Sequence, residues 1–464
     1  MSKINTKTNK PKAETVGGAP AFVGSPEYQL RRSVCSCLLW EGEFYEDGVS
    51  IAKRIADTIP KVSGDKVSAL AIEAREAFKL RHVPLLITRE MARYSDHKRY
   101  LAQTLEKVIQ RPDELAEFLA IYWKDGKSPI SSQVKKGLAS AFNKFDEYAL
   151  AKYNRDGAIK LRDVLFLCHA KPKDKEQEAI WKKLIDGTLA IPDTWETSLS
   201  KGGQKKSDSD KRVEWTRLLK ENKLGAMALM RNLRNMEQAG VNRDLIGEGL
   251  LNMNPSRVLP FRFISASKHA MHFEPQLEKA MLKMLETKPK LPGKTIIVID
   301  ISGSMVSPLS GKSEMSRMDA ACSLGMLARE LCEDARVYAT AGNDHTRVQA
   351  TCEVPARRGF ALRDAIKSCQ TVIGGGGIFL TPATKWIKDR EKTCDRMIVI
   401  TDEADCAGAG ANAPSKAQPF GTYNYLMNVD SYKEGIGFDK WIKINGFSEA
   451  VFDYIRVSEG GNLN

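Results

Sequence analysis

Residues 296–305 read IIVIDISGSM, an apolar, β-branched run that ends in an aspartate, two serines and a glycine. The run predicts a short buried strand, and Asp300, Ser302 and Ser304 alternate directly after it. Alternate side chains of a turning loop can face one ion, and hard cations such as Mg²⁺ prefer carboxylate and hydroxyl oxygens. The stretch therefore predicts a divalent-cation site at the strand end. In the alternative interpretation, these residues only cap the following helix, since Asp and Ser are favoured N-caps.

The same pattern continues through residues 291–464, which we expect to form one domain. Two further apolar strands, ARVYATAG (335–342) and RMIVITD (396–402), are separated by helical segments. Continuously apolar strands that alternate with helices are typical of a doubly wound α/β fold, whose parallel sheet is covered on both faces. Ligands of such sheets bind at the carboxyl ends of the strands. Asp402, which ends the later strand, is therefore expected to join Asp300 in the Mg²⁺ site.

The segment DISGS (300–304), together with Asp402, resembles the Asp-x-Ser-x-Ser metal-ion-dependent adhesion site of the von Willebrand factor A domain. The resemblance implies that these residues bind Mg²⁺ and leave one position for a partner's carboxylate. That family places a threonine in an intervening loop, whereas the loop GGGGIFLTPA (374–383) has Gly377 at the expected position. Thr381 substitutes as a ligand only if the loop is shifted.

The chain before residue 291 has a different character. Residues 1–24 are polar and basic, typical of a disordered leader. Residues 25–290 are mostly amphipathic helix, and several helices of similar length with short polar joints favour helical pairs stacked as a HEAT-like solenoid. The amphipathic segments with helical spacing are 65–81, 97–123, 131–153, 178–189, 224–240 and 274–287.

The net charge of +13 is concentrated in this helical part, because the residues after 290 hold 20 basic and 21 acidic side chains. A field of this sign attracts a polyanion, with nucleic acid the favoured partner and general solubility the alternative. The nine cysteines lack both zinc-site spacing and disulfide-framework density. The sequence has no secretory signal and no apolar run of about 18 residues. We therefore expect a cytoplasmic protein with no membrane segment.

Cations are densest within some forty residues of the helical part, and clustered cations release counterions when they meet phosphates. A histidine within this segment, His169, follows an apolar run, where it serves either as a helix cap or as a contact to an unpaired base. The RNA-binding candidates are Lys135, Lys136, Lys152, Arg155, His169 and Lys171.

Four segments resemble successive landmarks of the TROVE module of Ro ribonucleoproteins, namely residues 30–48, 149–172, 227–236 and 256–270. The resemblance implies a monomeric ring of helical repeats that is closed by the A domain. It further implies Y-type noncoding RNA on the outer surface and single-stranded 3′ ends of misfolded RNA in the central hole.

The resemblance supports two of the RNA-binding candidates. Lys152 and His169 lie where family members contact RNA, whereas a family arginine aligns with Asp156, so that the adjacent Arg155 would have to replace it.

The sequence as a whole predicts a noncoding-RNA-binding scaffold for RNA quality control. It contains no combined set of nucleophile, base and orienting residue, so we expect no enzymatic activity. In bacterial relatives, the resemblance implies a tether that presents substrates to the exoribonuclease polynucleotide phosphorylase. One alternative is a Mg²⁺-dependent assembly or adhesion module with incidental RNA binding. Another is a metal-dependent nuclease that uses Asp300 and Asp402.

Overall fold

The structure is a computed structural model of the 464-residue chain. It describes residues 25–36, 48–76, 80–154, 156–200, 207–256, 258, 260–308, 315–343, 345–346, 348–403, 416–429, 441–445 and 450–460. Within these ranges, the first part of the chain is helical and an α/β unit follows it. The helices before residue 291 are α1 (Pro26–Ser36), α2 (Gly48–Thr58), α3 (Gly64–Glu76), α4 (His82–Met91), α5 (Ser95–Val108), α6 (Asp113–Tyr122), α7 (Ser132–Phe142), α8 (Glu147–Tyr153), α9 (Leu161–Cys168), α10 (Lys175–Asp186), α11 (Trp195–Ser200), α12 (Asp208–Lys220), α13 (Ala226–Arg231), α14 (Leu233–Gln238), α15 (Arg243–Asn252), α16 (Pro260–His269) and α17 (Glu274–Glu286).

Successive helices of this region pack on neighbours one or two positions along the chain: α3 on α4 and α5, α5 on α7, and α7 on α9. This local packing is what stacked helical pairs produce. The segment 131–153, predicted as one amphipathic stretch, is broken into α7 and α8. The break occurs because the carboxylate of Asp146 accepts a hydrogen bond from the backbone N–H of Ala149 at 2.7 Å and so starts a new helix.

The α/β unit holds six strands and four helices among the described residues. In chain order they are β1 (Leu291–Asp300), α18 (Arg317–Leu331), β2 (Cys332–Asn343), β3 (Val348–Glu353), α19 (Gly359–Ile373), α20 (Leu380–Glu391), β4 (Cys394–Thr401), β5 (Gly421–Asn428), β6 (Ile442–Asn445) and α21 (Ala450–Ser458). The strand order is β3-β2-β1-β4-β5-β6.

The sheet is mixed, which corrects the prediction of a purely parallel sheet. Five strands are parallel, and β3 pairs antiparallel with β2 at one edge. Strand β3 was missed because its residues VQATCE are only partly buried and lack the continuous apolar character of the inner strands.

Both faces of the sheet are covered, because alternate residues of β1 enter two separate apolar cores. Ile297 and Ile299 pack in the core that contains the buried residues of α18 and α19, whereas Ile296 and Val298 pack in the core that contains Leu380 of α20. The helix-and-strand alternation inferred from the apolar run is therefore confirmed, and the carboxyl ends of β1 and β4 lie side by side.

The helical region contacts the α/β unit at both of its ends. Helix α1 contacts β6 and α21, and α16 and α17 contact α18, while α17 also contacts α19. Asp319 of α18 is the main polar link, with ion pairs to Lys268 of α16 and Lys367 of α19. Burial acts to raise the pKa of Asp319, but the hydrogen bonds from these lysines outweigh it and hold that pKa well below its usual range. The chain therefore closes on itself, with the sheet domain between the first and last helices of the helical region.

A second link at the same junction joins α17 to the start of α19. The Glu278 carboxylate accepts a hydrogen bond from the Phe360 backbone N–H at 2.6 Å. Gly359 precedes it with φ +54, and a Cβ there would lie 2.0 Å from Glu278 Oε1. The junction therefore requires glycine at this position. In the described part of the chain, no helix combines the length and apolar character needed to cross a membrane.

Candidate functional sites

A cavity of about 1070 Å³ opens among helix ends and loops between α4 and α16; we call it the Lys152 cavity. Its lining combines cations and aromatic rings drawn from sequence positions more than a hundred residues apart. The cationic and aromatic lining residues are Arg81, Arg111, Tyr148, Lys152, Tyr153, Trp195, Lys223 and Arg231.

The positive charge of this cavity is only partly neutralised. Lys152 Nζ lies 5.9 Å from the ring centroid of Tyr148 and 5.8 Å from that of Tyr153. The Arg111 guanidinium lies 4.5 Å from the same Tyr153 ring and also pairs with Asp113. Among the described residues, Lys152 has no acidic partner, so its charge is available to a ligand. An ammonium beside two aromatic faces offers both a phosphate contact and stacking surfaces.

A second, smaller cavity of about 310 Å³ shares Met227 and Arg231 with the first. Its further basic residues are Arg234 of α14 and Arg262 of α16, with His269 at the end of α16. These side chains extend the basic lining beyond the Lys152 cavity. Within the segment 227–236, Met230 and Met236 are buried. The arginines between them were missed because the sequence does not reveal which face of such short helices lines a cavity.

The predicted histidine lies on a surface formed by α7 and α9. His169 ends α9 in a left-handed conformation, with φ 53. Its Nε2 atom is 3.2 Å from Lys135 Nζ, and because an ammonium only donates, Nε2 is the acceptor of this hydrogen bond. Phe166, one turn earlier, is 58% exposed, and Lys171 is exposed two residues later. We call Lys135, Phe166, His169 and Lys171 the His169 surface.

The structure thus divides the predicted RNA-binding residues between two places. Lys135 contacts His169, whereas Lys152 lies in the cavity that bears its name. Lys136 is exposed on α7, and Arg155 lies outside the described residues. Asp156 forms an ion pair of 3.0 Å with Lys160 and so neutralises a nearby cation.

Phe166 was missed from the sequence, since an apolar residue on an amphipathic helix normally indicates core. Only the packing around α9 shows that its ring is exposed, one turn before the histidine that contacts Lys135.

Four of the five metal-site candidates meet at the carboxyl ends of β1 and β4; we call Asp300, Ser302, Ser304 and Asp402 the carboxylate edge. Asp300 accepts hydrogen bonds from the Ser302 backbone N–H at 2.8 Å and from Thr401 Oγ1 at 2.6 Å. The hydroxyls of Ser302 and Ser304 are 3.1 Å apart and bond to each other. Asp300 and Asp402 are fully buried. Burial, with a further contribution from the Asp402 carboxylate, raises the pKa of Asp300 to about 7.

A cation from the protein already lies at this edge. Arg317 Nη1, from the first residue of α18, is 3.0 Å from Asp402 Oδ2 and 3.5 Å from the Ser304 carbonyl oxygen. Gly377 has no side-chain oxygen to offer. Thr381 lies in the first turn of α20, where its carbonyl accepts from Thr384 Oγ1. No cluster of three or more His, Cys, Asp or Glu suited to a metal ion occurs within the described ranges.

These residues do not fit a bound Mg²⁺ in the arrangement observed, because the guanidinium holds the Asp402 carboxylate and the serine hydroxyls are bonded to each other. Neither Thr381 as a ligand nor the presence of Mg²⁺ is tested by this geometry, and both remain predictions.

Comparison with known proteins agrees with this architecture. The family model for the TROVE domain matches residues 186–350, a range that begins at the end of α10 and runs through β1 and β2 into β3. The crystal structure of the RO (RSR) protein from Deinococcus radiodurans matches with a TM-score of 0.62 and 16% sequence identity, covering 94% of this chain and 100% of that chain. No curated protein sequence matches the chain.

The molecule is thus a helical-repeat protein whose two ends are joined by an α/β domain. More narrowly, its residues 186–350 match the TROVE domain, and the chain shares the fold of the Deinococcus Ro protein along nearly its whole length. The likeness of residues 291–464 to the von Willebrand factor A domain remains a prediction.

Proposed function

We propose that the protein is an RNA-binding protein of the Ro type that takes single-stranded RNA ends into the Lys152 cavity. The observation that carries the proposal is the cavity itself, in which a cation without an acidic partner in the described chain lies within 6 Å of the rings of both Tyr148 and Tyr153. Sites that bind single strands combine positive charge along the backbone with aromatic rings on which bases stack. The cavity's volume lies at the upper end of the range of about 300–1,000 Å³ typical of small-molecule sites, so it has room for a segment of a single strand.

The adjoining basic cavity supports a path longer than one nucleotide. Arg231 belongs to both cavities, and Arg234 and Arg262 continue the cationic lining. A single strand that enters beside Lys152 would therefore meet further cations along its backbone. Recognition of this kind depends on phosphate charge and on exposed base faces, so it discriminates single strands from duplexes more strongly than one base from another.

The His169 surface supports a separate contact to a small structured noncoding RNA of the Y type. Lys135 and Lys171 supply charge, and His169 and the exposed Phe166 supply ring faces for an unpaired base. The resemblance to Ro proteins extends the proposal to a quality-control role, in which a bound Y-type RNA presents misfolded RNA to an exoribonuclease such as polynucleotide phosphorylase. In this proposal, the protein acts as a monomeric, cytoplasmic scaffold and not as an enzyme.

Copurification followed by sequencing of the bound RNA tests this proposal. The wild-type protein should enrich one abundant small structured RNA together with RNAs that end in single strands. The double variant Lys152→Ala, His169→Ser should lose both classes while its melting temperature stays nearly unchanged, because both side chains lie at the surface or in an open cavity. Equal RNA yield from the wild type and the double variant would refute the assignment of these residues.

A matched control separates specific binding from overall charge. Lys385 of α20 is exposed in the α/β domain, and Lys385→Ala should leave the bound RNAs unchanged. If this control loses as much RNA as the double variant, binding depends on net charge and not on the two sites.

A further inference from the structure

The carboxylate edge needs a positive charge, because it buries two aspartates side by side. Asp300 and Asp402 are both fully buried, at the ends of the adjacent strands β1 and β4. An unpaired carboxylate in such a place is very unfavourable unless a cation or several hydrogen-bond donors compensate it. The donors from Ser302 and Thr401 serve Asp300, and a charged partner is seen at Asp402.

Arg317 supplies a positive charge to this edge from within the chain. Its guanidinium is 3.0 Å from Asp402 Oδ2, and the Arg317 side chain is only 13% exposed. A charged hydrogen bond of this length between buried groups is among the stronger ones in proteins. The same nitrogen lies 3.5 Å from the Ser304 carbonyl oxygen, so the arginine reaches both the later aspartate and the serine loop.

The backbone holds Arg317 in this position. Ser316 caps α18, with its Oγ accepting from the Asp319 N–H and Asp319 in turn accepting from the Ser316 N–H. The Arg317 N–H donates to the Ser307 carbonyl at 3.0 Å, which ties the start of α18 to the loop after β1. The guanidinium is therefore directed at the edge by a capped helix.

The other described groups at this edge offer few ligands for a divalent ion. Mg²⁺ requires near-octahedral oxygen coordination at about 2.1 Å. The hydroxyls of Ser302 and Ser304 are bonded to each other, and Gly377 adds no side-chain oxygen. An ion placed here would also face the guanidinium on Asp402 as a like charge.

We propose that Arg317, and not a divalent cation, is the positive charge of the carboxylate edge. The edge is a built-in arginine–aspartate site, and Mg²⁺ enters only when the arginine is removed. This inference concerns the α/β domain alone and is independent of RNA binding in the helical region. It further means that neither folding nor RNA binding responds to a chelator.

Titration calorimetry with Mg²⁺ on the intact protein tests the proposal. Wild-type protein should bind Mg²⁺ at least tenfold more weakly than Arg317→Gln, in which the carboxylates and hydroxyls are freed for the ion. The control Arg336→Gln removes an exposed arginine of β2 that pairs with Glu353, and it should behave as wild type. Stoichiometric Mg²⁺ binding by the wild type, or no gain in affinity for a folded Arg317→Gln, would overturn the proposal.

A second measurement applies if Arg317→Gln does not fold. Asp402→Asn should lower the melting temperature by the same amount with EDTA and with excess Mg²⁺, because its lost partner is Arg317. A loss that appears only in the presence of Mg²⁺ would show that Asp402 serves a metal and would contradict the proposal. RNA affinity recorded on the same samples reports separately on the helical region.

Discussion

Replacing Lys152 by alanine is the most informative single perturbation of the Lys152 cavity. The side chain contributes one cation that has no acidic partner in the described chain and lies beside two tyrosine rings. For single strands, each neutralised phosphate contributes about 0.7 to the slope of log K against log salt. Extrapolated from 1 M to about 0.15 M salt, one such contact corresponds to about a fourfold change in affinity.

We therefore expect Lys152→Ala to weaken binding of a labelled single-stranded oligoribonucleotide about fourfold at about 0.15 M salt and to reduce the salt slope by about 0.7. Fluorescence anisotropy titrations at several salt concentrations measure both quantities. The free energy of unfolding should fall by no more than about 0.5 kcal/mol, since only weak cation–π contacts are lost. Unchanged affinity together with an unchanged slope would refute the assignment of Lys152 to a phosphate contact.

Three further predictions concern stability, each measured by chemical or thermal unfolding. Glu114→Ala should cost about 3–5 kcal/mol, because it leaves the buried Arg75, 2.6 Å away, without its carboxylate; a loss below about 1 kcal/mol would contradict this. Gly359→Ala should cost more than about 1 kcal/mol, because it adds left-handed strain and displaces Glu278; a neutral effect would show that the junction can relax. Asp319 has a lowered pKa in the folded state. Its contribution to the free energy of unfolding is therefore complete above about pH 4 and is lost as pH falls further. Asp319→Asn should therefore be less stable than wild type at pH 7 and should approach it in acid, and a pH-independent difference would argue against the ion pairs.

Local sequence pattern was sufficient to predict the inner strands β1, β2 and β4 and the helices between them, whereas the inner strand β5 was missed. The run IIVID becomes β1 because β-branched apolar residues suit a strand that is buried on both faces. The edge strand β3 could not be found in this way, since its burial depends on pairing with β2 and not on its own composition. The break between α7 and α8 was readable in principle from Asp146, a favoured N-cap residue.

Only part of each candidate site could be predicted, because residues far apart in the sequence come together in it. Asp300, Ser302 and Ser304 can be recognised in the sequence because they follow one strand at alternate positions. Arg317 reaches Asp402 across 85 positions of sequence, and no local pattern connects the two. The Lys152 cavity could not be predicted for the same reason, since residues as distant in sequence as Arg81 and Arg231 line it together.

Crosslinking with a photoreactive 3′-terminal nucleotide tests the central claim most directly. A short single-stranded RNA that carries 4-thiouridine at its 3′ end is bound to the intact protein and irradiated, and the crosslinked peptides are mapped. The account predicts crosslinks to the segments that contain Tyr148, Tyr153 and Arg231, with loss of signal when unlabelled single strand, but not duplex, is added in excess. Crosslinks confined to the α/β domain, or equal competition by duplex, would contradict it.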